Sequence, residues 1–188
     1  MDKKQGLQTR RIGEALEKSL SAFEGVEVFY DHGTASSSQG VCQPTTYMGR
    51  RYGRDAMLSG LDIVVTFNPT GIPRLRRVIV IVEIEEHAVR PKTVLGDVFG
   101  VALSDNLRIK DHPHPMPIRG VVLIIGVVVE ETGKKRIQML RLERLMKNYF
   151  GKKSRGSNIS KIRIIPSSYS DLMRRIERLI RLEVSKRI

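Results

Sequence analysis

A chain of 188 residues with 40% apolar side chains is long enough to bury the core of one domain, and nothing in it requires a second. Its 33 Lys and Arg outweigh 20 Asp and Glu for a formal charge of +13, which favours a polyanionic partner, while the patterned apolar segments exclude a histone-like composition. The single Cys42 excludes an intramolecular disulfide and a cysteine-rich metal centre; the longest nearly uncharged stretch, Gly120 to Val129, is about half a membrane span, and no apolar run follows the N-terminus, so no membrane association and a cytoplasmic location are expected.

In chain order, Ile12, Leu16, Leu20 and Phe23 recur at helical spacing and predict an amphipathic helix over 7–24, closed by Gly25. Val26 to Tyr30 reads as a short strand. The stretch from His32 to Arg54 lacks periodicity and reads as a long loop. Leu61 to Phe67 and Val78 to Glu85 are strand-like, and the turn cluster Asn68 to Pro73 between them predicts an antiparallel hairpin. Arg90-Pro91-Lys92 opens a helix running to about Asp105, and the prolines of 111–117 make a rigid loop. Val121 to Val129, apolar on both faces, predicts a strand covered from both sides. A basic helix over 134–150, an alternating strand over 159–165 and a final helix capped by Ser170 complete the chain.

Three carboxylates interrupt the apolar strands. Asp62 lies within Leu61-Asp62-Ile63-Val64-Val65, and Glu83-Ile84-Glu85 ends Val78-Ile79-Val80-Ile81-Val82. Strand alternation puts Asp62, Val64 and Thr66 on one face, and Ile81, Glu83 and Glu85 on one face of the next strand. Pairing of the two strands therefore gathers the three acids at one end of the sheet. Buried charge is costly unless a cation compensates it. Phosphodiester hydrolysis needs an activated water and charge neutralisation at phosphorus, both of which Mg²⁺ on carboxylate oxygens supplies.

This order of helix, strand meander with Asp on one strand and Glu-x-Glu on the next, then helix and strand, resembles the PD-(D/E)XK, or restriction-endonuclease-like, nuclease superfamily. Leu61-Asp62 stands for its Pro-Asp, and Glu83-Ile84-Glu85 for its Glu-x-Lys. The resemblance covers roughly residues 7–130, with 131–188 as a C-terminal helical and strand extension. It implies an α/β fold in one domain, a restriction-endonuclease-like mixed β-sheet flanked by helices. It also implies Mg²⁺, or Mn²⁺ in its place, held by Asp62, Glu83 and the backbone carbonyl of Ile84. Glu85 departs from the family's lysine; it is read as a metal or water-orienting group, with Lys92 on the following helix as the candidate cation. Members often place an acid on the first helix, for which Glu14 or Glu17 qualifies.

Basic residues supply candidate contacts to nucleic acid: Arg50, Arg51 and Arg54 in the long loop, Arg90 beside Lys92, and Lys134, Lys135 and Arg136 at a helix start. Each is equally readable as a solvated surface. The same holds for Lys152, Lys153 and Arg155. His112 and His114 lack a third ligand nearby, and Asp31, His32 and His87 are candidate bases whose plain alternative is a loop position. The expected function is metal-dependent endonucleolytic cleavage of DNA, RNA not being excluded, by a homodimer, since symmetric duplex cleavage needs two sites. The alternative is a catalytically inactive nucleic-acid-binding or assembly module on the same fold, supported by the missing Lys after Ile84.

Overall fold

A computed structural model describes residues 7–31, 44–49, 52, 54–86, 90–110, 112, 114–130, 132–151 and 158–188. Helix α1 (Leu7–Leu20) buries Ile12, Leu16 and Leu20 on one face. It stops at Leu20, earlier than the periodicity predicts, and Gly25, at a φ of 76° that only glycine adopts freely, turns the chain into strand β1 (Val26–Tyr30). Two short strands follow, β2 (Thr45–Tyr47) and β3 (Met57–Gly60), then β4 (Ile63–Phe67) and β5 (Arg77–Glu85). Helix α2 (Pro91–Ala102) begins with proline in its first turn. Beyond it come β6 (Asn106–Arg108), β7 (Met116–Pro117), β8 (Val121–Val128), α3 (Lys134–Gly151), β9 (Ile159–Ser167) and α4 (Tyr169–Ser185).

The main sheet has the order β1-β4-β5-β8-β9. Strand β4 runs antiparallel to both neighbours, whereas β5, β8 and β9 are parallel. Two apolar cores result, one per face. Residues of α1 and α4 (Leu16, Ile176) cover Ile63, Val82 and Ile124, and residues of α2 and α3 (Val98, Met139) cover Val64, Ile81 and Ile125. The chain is thus a mixed α/β single domain whose mixed sheet is flanked by four helices. Strand β9 pairs along β8 from Val121 to Val128, and α4 shares a core with α1.

The predicted hairpin is present, with Ile63 opposite Val82 and Val64 opposite Ile81. Its register shifts once, Val65 facing Val80 and Thr66 facing Val78, so Ile79 is a bulge residue; it and Val80 both enter the α1/α4 core. Two expectations need correction. The loops read over 32–54 and 111–117 contribute β2 and β7 to a second sheet of order β3-β2-β6-β7, whose strands are too short to show a period in sequence. And the last helix starts one turn-position earlier, with Ser168 rather than Ser170 at its N-cap.

Topology gathers the starts of the helices at one end of the sheet. Helices α2, α3 and α4 each leave the carboxyl end of a parallel strand, and α1 returns to the amino end of β1 through a short turn. All four helices therefore begin at the end where β5, β8 and β9 finish. That is where ligands settle in open α/β sheets, and where helix dipoles place positive partial charge.

Candidate active site

Asp62 immediately precedes β4 and faces Glu83, one step beyond the Ile63–Val82 pair, as the alternation requires. The two acids are interlocked through backbone. Glu83 Oε2 accepts the Asp62 N–H at 3.2 Å, Asp62 Oδ2 accepts the Ile84 N–H at 2.7 Å, and Asp62 Oδ1 accepts the Thr9 hydroxyl at 3.2 Å. The Asp31 N–H closes the same corner on the Asp62 carbonyl at 2.9 Å. Glu83 is only 6% exposed, and its Oε1 has no hydrogen-bond partner. Glu85, half-buried two residues on, hydrogen-bonds the carboxyl group of Asp97 on α2, whose Oδ2 is buried without a partner.

Four carboxyl groups thus share one end of the sheet, and among the described residues no ion pair engages any of them. Glu183, as deeply buried as Glu83, is by contrast neutralised by Lys161. Without such a partner, the charged forms are disfavoured. Burial pushes Asp62 up to about 6 against the restraining bonds from Ile84 and Thr9. Burial, then the neighbouring Asp62 and Asp97, drive Glu83 well above the usual carboxylate range. Asp97 rises to about 8 through burial and then through Glu85, and Glu85 is itself raised by burial, an effect that their shared hydrogen bond only partly offsets. In the pair, Asp97 keeps the proton and Glu85 accepts it.

The donor set suits a hard divalent cation: carboxylate oxygens only, two of them buried and orphaned. Asp62 and Glu83 are occupied by protein donors, and among the described residues no three Asp, Glu, His or Cys side chains are grouped so that they could hold a metal ion. Ile84 meets Asp62 through its N–H.

The other sequence candidates fall elsewhere. Lys92 is exposed, roughly 140° around α2 from Asp97 at five residues' separation, and Arg90 is the exposed N-cap of that helix. Arg54, Lys134 and Lys135 are exposed and Arg136 is half-buried, while Arg50, Arg51, His32, His87, Cys42 and Lys152, Lys153 and Arg155 lie outside the described residues. Glu14 pairs with Arg10, and Glu17 accepts the Tyr30 hydroxyl. The first helix instead sends Thr9 to the site, next to a buried Gln8 whose Nε2 has no partner. His112 directs Nδ1 at the His114 carbonyl and its ring edge-on to Phe29, which is a loop-packing role.

Sequence reasoning missed Asp97 and Thr9. Asp97 had a signal, as the lone charge between Thr93 and Ser104, one residue from the buried Val98. Thr9 had none. No family model, no curated protein and no solved structure matches the chain.

Proposed function

We propose that this chain is a metal-dependent nuclease on a restriction-endonuclease-like fold, with Asp62, Glu83 and Glu85 holding Mg²⁺ or Mn²⁺ and a DNA strand as substrate. One observation carries the reading: four mutually repelling carboxyl groups lie at the carboxyl end of the sheet, two with buried unpartnered oxygens, in a chain of formal charge +13. A fold does not keep such an arrangement for stability, because each uncompensated buried acid disfavours it. When bound, the ion supplies charge neutralisation at the phosphate and activation of the attacking water.

The chain's own residues have separable tasks. The Ile84 N–H and Thr9 hydroxyl fix the orientation of Asp62, and the Asp62 N–H fixes Glu83. Asp97 shares a hydrogen bond with Glu85, a contact that a bound cation would replace. Lys92 or Arg90, exposed at the start of α2 and turned away from Asp97, would have to reach the phosphate from outside the carboxylate corner. Two copies acting on opposite strands give symmetric cleavage, in keeping with a homodimer.

A second reading is an inactive nucleic-acid-binding or assembly module. It is favoured by the engagement of Asp62 and Glu83 with protein donors and by the absence of a finished chelate among the described residues. The two separate in one experiment. Supercoiled, linear and branched DNA and a single-stranded RNA are incubated with the protein in Mg²⁺ or Mn²⁺, beside Asp62→Asn and Glu83→Gln. The nuclease reading expects nicking or cutting that both variants lose by about a hundredfold or more. Binding without cleavage, identical in all three proteins, would leave the module reading alone standing.

A further inference from the structure

Away from the carboxylates, along the β9 edge of the sheet, an open cavity of about 450 Å³ lies between α3 and α4. Its floor is apolar, formed by Leu140, Ile165 and Leu179 among others. Its rim carries the guanidinium groups of Arg136, Arg163, Arg175 and Arg178 against the single carboxylate of Glu143. Four positive charges less one negative leave a formal excess of three. Glu143 is moreover already engaged, by Lys147 at 2.6 Å, and stands 3.7 Å from Arg163. Arg163 Nε is buried without an acceptor, and among the described residues Arg175 and Arg178 are exposed and in no ion pair.

The positive charge extends to both sides. A neighbouring hollow on α3 is lined by Lys134, Lys135 and Arg141, and one on α4 by Arg181, by Arg174 in its pair with Asp171, and by Glu177, sharing Arg178 with the first. A track of this length suits a polymer rather than a single small anion. Guanidinium forks take phosphate oxygens in pairs, and their planes stack on bases, while an aliphatic floor accepts the flat face of a base but no charge. Duplex DNA, convex and with its bases stacked inside, reaches only the rim. An unpaired nucleotide reaches rim and floor together.

We propose that the groove between α3, β9 and α4 binds an unpaired nucleotide of a nucleic-acid strand, with phosphate on the arginines and base on the apolar floor. This rests on nucleic acid being the partner but not on cleavage. The groove is level with the carboxylates: Glu83 aligns with Ile125 and Ile125 with Ile164, two strand spacings or about 10 Å away.

The test is fluorescence anisotropy with short labelled oligo-dT and oligo-U in EDTA, so that its outcome is independent of any nuclease activity. Single strands are expected to bind more tightly than a blunt duplex of equal length. Arg175→Glu with Arg178→Glu weakens that binding about tenfold or more and lowers the salt slope by roughly 1.4, two single-strand phosphate contacts. The charge-matched Arg74→Glu with Lys110→Glu leaves it nearly unchanged, and Arg163→Lys, which keeps the charge but loses the fork, weakens it several-fold. Equal losses in the two double variants, a duplex bound as tightly as a single strand, or polyglutamate or a mononucleotide competing as well as the oligonucleotide would each overturn the assignment.

Discussion

Removing the charge of Asp62 should stabilise the metal-free protein, and the pH at which it does so is set by the site. The Asp62 carboxyl is held at about 6 against an ordinary 3.8. Below pH 3.8 both folded and unfolded chains carry the proton, so the group leaves stability intact. Between 3.8 and about 6 the folded chain retains a proton that the unfolded chain has released, and stability falls as pH rises. Above that window the full cost, about 3 kcal/mol for a shift of this size, is in force. Asp97 acts in the same direction and carries the decline on towards pH 8. Against a total of roughly 5–15 kcal/mol for a domain, that is a large fraction. Urea unfolding in EDTA, repeated from about pH 4 to about pH 8, reads it directly. Wild type is expected to lose stability across the range, Asp62→Asn to lose less, and the gap between them to open towards about 3 kcal/mol at the alkaline end. Added Mg²⁺ at a hundred times its dissociation constant should return roughly 2.7 kcal/mol to wild type and little to the variant. Stability that is flat or rising with pH, or a variant that parallels wild type, would refute the reasoning.

Two further outcomes test the scaffold. Gly13 lies where a Cβ would overlap the Tyr30 ring, so Gly13→Ala should cost about 1–3 kcal/mol, visible as a lower thermal midpoint, despite alanine's better helix propensity. Lys161→Met leaves the buried Glu183 without its cation and should cost about 3 kcal/mol; an unchanged urea midpoint would mean that the pair is dispensable.

The parts of the fold that can be read from sequence are those whose signal is local. The α1 stripe of Ile12, Leu16 and Leu20 follows from a period of about four, the β4–β5 hairpin from two apolar runs about a turn cluster, and the doubly covered β8 from an unbroken apolar run, each within a short stretch of chain. Asp62 and Glu83 meet for the same reason, since alternation on two paired strands decides their faces. Asp97 and Thr9 reach the site from helices, where nothing in the local pattern states which sheet end a helix will overlie. The second sheet was hidden because β2 and β6 are three residues each and pair across more than fifty positions of chain. The homodimer and the roles of Lys92 and Arg90 depend on partners outside one chain, and no single-chain pattern encodes them.

The bulge at Ile79 gives the site an uneven tolerance to insertions and deletions. Losing Ile79 removes the one unmatched residue in β5; Val78 stays opposite Thr66, Val80 stays opposite Val65, and both glutamates keep their side of the sheet. Losing a residue between Ile81 and Glu83 instead turns both acids towards α1 and α4, into an apolar layer with no room for charge. A length change of one residue in the same strand therefore spares the acidic corner at one position, at the cost of a core side chain, and abolishes that corner at another, three places away.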